Sequence, residues 1–225
     1  MNKGVSINVA SNSSHVNGRG RFFERSERFD YIPIPENRQT ITKIPSYSDL
    51  PWLKNCDLNN LQMQVHLDPE FETYTYGHVK RGFGDMGAIK SLDQGDYLLF
   101  HATLSHPEYP EKWLTAIIGY FEVECVVECS GLSTAEIKDL HGKKFANNAH
   151  LKREDPSVDL LVAGTGDSRL LEKAIPLSTF ESPRELRKEF NELFRTAGGK
   201  TISNGKSWCR WTLKIEDVEK LMGFR

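Results

Sequence analysis

The sequence predicts an α+β fold: a strongly bent, mostly antiparallel sheet with helices packed on it. Two strongly β-prone runs carry the sheet, Tyr97–Leu104 (YLLFHATL) and Trp113–Glu128 (WLTAIIGYFEVECVVE), joined by a short loop with Pro107 and Pro110. Gly119 lies inside the second run, where a glycine marks a bend or bulge. Helix-start signals supply the rest. Ser133 and Ser182 each stand three residues before a glutamate, the spacing of a capping box, and Pro183 sits at a first helical position.

Taken in order, Val5–Ala10 reads as a first strand, followed by a polar, glycine-containing loop to Arg21. Arg19, Arg21, Arg25 and Arg28 alternate with Phe22, Phe23 and Phe29, which suits either a nucleotide contact or a loop pinned by its phenylalanines. In FDYIPIPE, residues 29–36, two prolines at alternate positions fix an extended backbone and remove donors, so the segment is a rigid edge or lid that presents Asp30, Tyr31 and Glu36. Residues 39–57 read as an irregular loop packed on the core. The stretch from Gln64 opens with a short apolar strand that runs into Asp68-Pro69-Glu70-Phe71-Glu72, and Thr73–Tyr76 is β-prone up to Gly77. A short helix is expected over 133–141, a buried strand over 159–164, and a turn or short helix over 165–173. The clearest helix is expected over 182–195, a strand over 206–213, and a last helix over 215–222.

A chain of 225 residues with no internal repeat fits one domain over residues 1–225. Its formal net charge of −2 gives no global basic field, which argues against a charge-driven DNA coat protein. The four cysteines form no CxxC pair, so free thiols and a cytoplasmic location are expected. No run approaches the roughly 20 apolar residues of a membrane-spanning helix, so no membrane partner is expected.

The chemistry concentrates between residues 64 and 104. Read as extended chain, Asp68, Glu70 and Glu72 share one face and repel one another, so they call for a cation, a proton or solvent. That is a metal site, an acid/base pair or an acceptor surface; it is equally a solvated strand end anchored by Phe71. No His-x-Glu pair and no helix with paired histidines supports a metal site, so no metal ligands are assigned, and the cofactor stays unknown. The turn Thr165–Arg169 offers backbone donors, Ser168 and Arg169 to an anion, or simply a cap.

The strings HLDPEFETYTYG, LDQGDYLLFHATL, NNAHLKRE, GTGDSRLLEKAIPLS and SWCRWTL, together with FDYIPIPE, resemble the nucleotide modification associated domain family, type 3, over residues 4–213. That resemblance implies work on modified nucleotides, or on DNA containing them, alongside protein partners of a DNA-modification or phage-related system. It draws attention to His66, Asp68, Glu70, Thr75, Tyr76, Asp96, Asn148, His150, Asp167, Ser168, Arg169 and Arg210. His78 departs from the family pattern, which has an acid after TYG. The strands GDYLLF and WLTAIIGYFEVECVVE are also similar to the core of PUA-like barrels, which bind RNA or modified bases.

Two functions follow. In an enzyme that processes a modified nucleotide, His66, Asp68, Glu70 and His150 supply the catalytic groups. Thr75, Tyr76, Asp96, Asn148, Asp167, Ser168, Arg169, Trp208 and Arg210 then hold the substrate. In a reader pocket, Tyr74, Tyr76 or Trp208 stacks on a modified base and Asp68 or Asp96 accepts hydrogen bonds from its edge. A scaffold subunit of a modification system would need neither.

Overall fold

The computed structural model describes residues 5–9, 20–53, 58, 60–79, 87–141, 144–191, 216 and 220. In chain order its elements are β1 (Val5–Val9), β2 (Phe22–Phe23), β3 (Arg28–Phe29), β4 (Ile34–Pro35), β5 (Val65–His66), β6 (Thr75–His78), α1 (Gly87–Lys90), β7 (Tyr97–Ser105), β8 (Trp113–Glu128), α2 (Thr134–His141), β9 (Leu160–Gly164), β10 (Arg169–Pro176) and α3 (Lys188–Asn191). Two 3-10 turns, Tyr47–Asp49 and Pro51–Leu53, shape the stretch before β5.

The main sheet is organised by β8. Its 16 residues are too long for one neighbour, so different halves take different partners. β7 lies antiparallel along residues 113–122, β10 pairs with 116–120, and β9 pairs with 123–128. The path runs β1-β7-β8-β9-β6, with β1 parallel to β7 and every other pairing antiparallel. The β7–β8 register shifts between Phe100 and His101, opposite Gly119 and Ile117, which leaves Ile118 as an extra residue. Such a bulge bends a strand and increases its twist. A second shift falls at Val123/Cys125. The result is a strand-rich, strongly curled antiparallel half-barrel.

Packing follows the strand alternation. Leu98, Phe100, Ala102 and Leu104 of β7 meet Leu114, Ala116, Ile118 and Phe121 of β8 and Leu160 and Val162 of β9 in the principal core. The other face of β9, Leu161 and Ala163, packs with Ile137 of α2, Phe145 and Leu151. A third cluster, Ile32, Tyr47, Leu50, Leu53, Leu58 and Val65, lies beneath β4 and β5. β4 pairs only with β5, the edge position its proline requires. Cys129 is buried and Cys125 half-buried, both as free thiols, and burial followed by Asp159 pushes the Cys129 thiol up to about 11.

Helices are few among the described residues. α2 carries the expected capping box: Ser133 N–H donates to Glu136 Oε2 at 2.8 Å and Glu136 N–H to Ser133 Oγ at 3.3 Å. The helix expected from residue 182 begins only at Lys188. Its intended first turn is spent elsewhere, because Arg187 N–H donates to Leu177 O and Glu185 N–H to Ser182 O. The turn or helix expected after Ser168 is instead β10, since Arg169 and Leu170 find open backbone partners at Tyr120 and Gly119. Residues 206–213 lie outside the described residues. Among the described residues no helix is long and apolar enough to cross a membrane.

Candidate functional site

The segment after β5 does not continue as a strand. Glu70 and Thr75 exchange both backbone hydrogen bonds, which closes a tight turn over Phe71–Tyr74 with Tyr74 at φ 58°. The Glu70 carboxylate holds that turn, accepting from the N–H groups of Glu72 and Thr73 and from the Thr73 hydroxyl. The expected row of three carboxylates on one face is therefore absent. Glu70 is committed to the turn, and Asp68 faces elsewhere.

Asp68 meets two histidines brought from distant parts of the chain. Its Oδ2 lies 3.4 Å from His150 Nε2 and 4.0 Å from His66 Nε2. The three side chains are 5, 8 and 4 % exposed, respectively. The two imidazoles meet edge-on, with centroids 4.8 Å apart and planes at 81°. The three ligand-type atoms all lie within 4.8 Å of one another, which makes the trio a candidate metal centre that the sequence spacing did not announce.

Each member is fixed from behind. Gly77 N–H donates to Asp68 Oδ1 at 2.8 Å, leaving Oδ2 for the histidines. His150 Nδ1 stands 3.0 Å from Ser157 O, and its Nε2 stands 3.4 Å from Asp68 Oδ2. His66 Nδ1 stands 2.9 Å from Glu36 Oε2. Burial alone would raise the Glu36 carboxyl, but hydrogen bonds from His66 and Arg153 outweigh it and bring its pKa down to about 2. Arg153 pairs with Glu36 at 2.9 Å, and its guanidinium nitrogens lie 3.1 and 3.2 Å from Nδ1 of His66 and His150.

β6 supplies the remaining wall. A Cβ at Gly77 would stand 2.5 Å from His150 Cδ2 and 3.1 Å from Asn148 Oδ1, so only glycine lets the strand approach. Asn148 Oδ1 accepts from His150 N–H at 3.0 Å. Its amide nitrogen and the Thr75 hydroxyl, the latter on the same side of β6 as Gly77, are buried without a hydrogen-bond partner among the described residues. Tyr31 is buried too, and desolvation followed by the Asp68 charge holds its phenol well above the usual range.

His66, Asp68, Asn148 and His150 are thus brought together, with Thr75 on the adjoining strand face. Others of the expected set are placed differently. Tyr76 is buried in the core against Phe100, its hydroxyl bonded to His78. Asp96 holds the preceding turn by accepting from Asp93 N–H. Ser168 accepts from Glu122 N–H, Asp167 lies exposed in the β9–β10 turn, and Arg169 donates to the Tyr120 hydroxyl. Trp208 and Arg210 lie outside the described residues. Glu36 and Arg153 are the members that spacing could not find. The rigid PIPE segment hinted at Glu36, whereas Arg153 had no signal beyond its place next to Asn148 and His150.

Chemically, two imidazole nitrogens and a carboxylate oxygen face one another in a buried space. Such an arrangement takes up a proton and works as an acid/base pair, or it holds a cation. The family model for nucleotide modification associated domain 3 matches residues 3–222, nearly the whole chain. No curated protein and no solved structure matches it.

Proposed function

The chain belongs to the nucleotide modification associated domain 3 family, and from that premise we propose that it processes a modified nucleotide, or a modified base in DNA, at the His66–Asp68–His150 centre. The observation that carries this reading is the convergence of two imidazole Nε2 atoms on one carboxylate oxygen, each held from behind by a separate partner. Asn148 and Thr75 offer the substrate hydrogen-bonding groups that the fold leaves unsatisfied, and buried polar groups of that kind are costly unless a ligand or water engages them. The curled sheet supplies a stiff wall, as PUA-like barrels do for the bases they bind.

The reader alternative needs an aromatic platform. Among the described residues Tyr76 is enclosed in the core and Tyr74 packs on Phe121 at 6.0 Å; Trp208, the third platform expected, lies outside them. A thermal-shift screen of modified nucleosides, nucleotides and short oligonucleotides tests the reading. Ligand binding to the native state raises Tm in proportion to the logarithm of concentration over Kd. The expected result is a nucleotide-class ligand that stabilises the wild type and not Asp68→Asn. Equal stabilisation of both proteins would remove the centre from the reading.

A further inference from the structure

We propose that His66 Nε2, Asp68 Oδ2 and His150 Nε2 are the ligand set for one divalent first-row transition ion. The inference deepens the reading of this site and takes from it only the location.

The convergence of the three ligand atoms carries the argument. Each ring has an acceptor at Nδ1, the Ser157 carbonyl for His150 and the Glu36 carboxylate for His66, and each turns its Nε2 toward Asp68 Oδ2. Metal-binding histidines are held in this way, the non-ligating N–H donating to a backbone carbonyl or a carboxylate. Asp68 is prepared in the same sense: Gly77 N–H engages Oδ1 and Oδ2 is turned to the histidines. A cation held among the three would engage the Asp68 carboxylate and both Nε2 atoms at once. The Arg153 guanidinium lies 3.1 and 3.2 Å from the two Nδ1 atoms. A metal ion bonds at Nε2, on the far side of each ring from that charge.

The dimensions agree. Ligand atoms about 2.1 Å from a tetrahedral ion stand roughly 3.4 Å apart. Asp68 Oδ2 and His150 Nε2 are already 3.4 Å apart; His66 Nε2 stands 4.0 Å from the same oxygen and the three atoms lie within 4.8 Å of one another, so the His66 ring must close in by roughly 1 Å on binding. Two imidazoles and one carboxylate are a borderline donor set suited to zinc, cobalt or ferrous ion rather than to magnesium or calcium. Three protein ligands leave a coordination position for water or substrate, as catalytic rather than structural sites do. The orphaned Asn148 amide beside His150 is placed to hold a group near that position.

The test uses the full chain, stripped with a chelator and titrated with Co²⁺ and with Zn²⁺ in the absence of any nucleotide. The expected result is one ion per chain with visible cobalt absorption. His150→Gln and His66→Gln should weaken binding by about 100-fold or more. Glu36→Gln, which removes the carboxylate charge behind His66 and its ion pair with Arg153, should weaken it by about 10- to 100-fold. His106→Gln is the control, since that ring caps the exposed turn at Glu108 and Tyr109. In wild-type protein, Co²⁺ should broaden the imidazole NMR signals of His66 and His150 and spare that of His106, which keeps the test valid if a variant folds poorly. Absence of a stoichiometric site in the wild type, or broadening at other histidines, would overturn the proposal. Either result leaves the acid/base reading of the same centre to stand or fall on the nucleotide screen.

Discussion

Gly77→Ala adds one carbon at the point where β6 touches the centre. The new Cβ would lie 2.5 Å from His150 Cδ2 and 3.1 Å from His150 Cγ and Asn148 Oδ1. An ordinary carbon–carbon contact is about 3.5 Å, so the ring must retreat by roughly 1 Å. It cannot retreat freely, because Ser157 O holds Nδ1 at 3.0 Å and Asn148 Oδ1 bonds the His150 backbone. Overpacking of this kind costs about 1–3 kcal/mol, and a lost hydrogen bond about 1 kcal/mol. Alanine returns about 0.4–1 kcal/mol through the unfolded state where the backbone tolerates it. The expected net loss is about 2 kcal/mol. Gly166→Ala is the matched control, since its Cβ would have nothing within 4 Å; it should be neutral or slightly stabilising. Urea denaturation measures both variants, and the imidazole NMR signals of His150 report whether the ring has moved. A Gly77→Ala protein as stable as the wild type, with His150 unshifted, would refute the close approach on which the geometry of the centre rests.

Other perturbations separate the roles of the surrounding groups. Arg153→Met leaves the Glu36 carboxylate buried without its guanidinium and should cost about 3–5 kcal/mol in chemical denaturation, with part recovered in the Glu36→Gln/Arg153→Met double variant. A loss below about 1 kcal/mol would show the pair to be dispensable. Burial holds His101 down to about 4, whereas an unfolded histidine titrates near 6.5. Because the folded value is the lower one, this contribution is fully present above about pH 6.5 and is lost as pH falls toward 4, by about 3 kcal/mol. Glu36 acts in a different window, below its ordinary value of 4.5 and down to about 2. His101→Leu should therefore flatten the stability profile between pH 6.5 and 4 and leave the more acidic limb in place; an unchanged slope would contradict the assignment.

The legible parts of the fold were those written locally. The β-rich runs 97–104 and 113–128 became β7 and β8, and Ser133 capped α2 through Glu136 as the spacing required. The elements that differed were decided by distant partners. Leu177 O took the Arg187 N–H and delayed α3, and the edge of β8 drew Arg169 and Leu170 into a strand. The acidic stretch differed for a local reason that composition hides: Glu70 folds back onto the N–H groups of Glu72 and Thr73 and closes a turn. Within the centre, His66, Asp68 and His150 stood out by residue type and by their motifs. Their convergence did not, because it depends on Gly77 admitting His150 and on Arg153 reaching Glu36, 117 residues away.

The measurement that bears most directly on the central claim is product analysis by mass spectrometry. The nucleotide or oligonucleotide that stabilises the protein is incubated with wild type, Asp68→Asn and His150→Gln, and the nucleosides are resolved by mass. If the His66–Asp68–His150 centre does the chemistry, the wild type yields a product of altered mass. Both variants, folded and at the same concentration, then yield at least about 100-fold less. Product formed at the wild-type rate by either variant would contradict the claim and place the chemistry elsewhere in the chain.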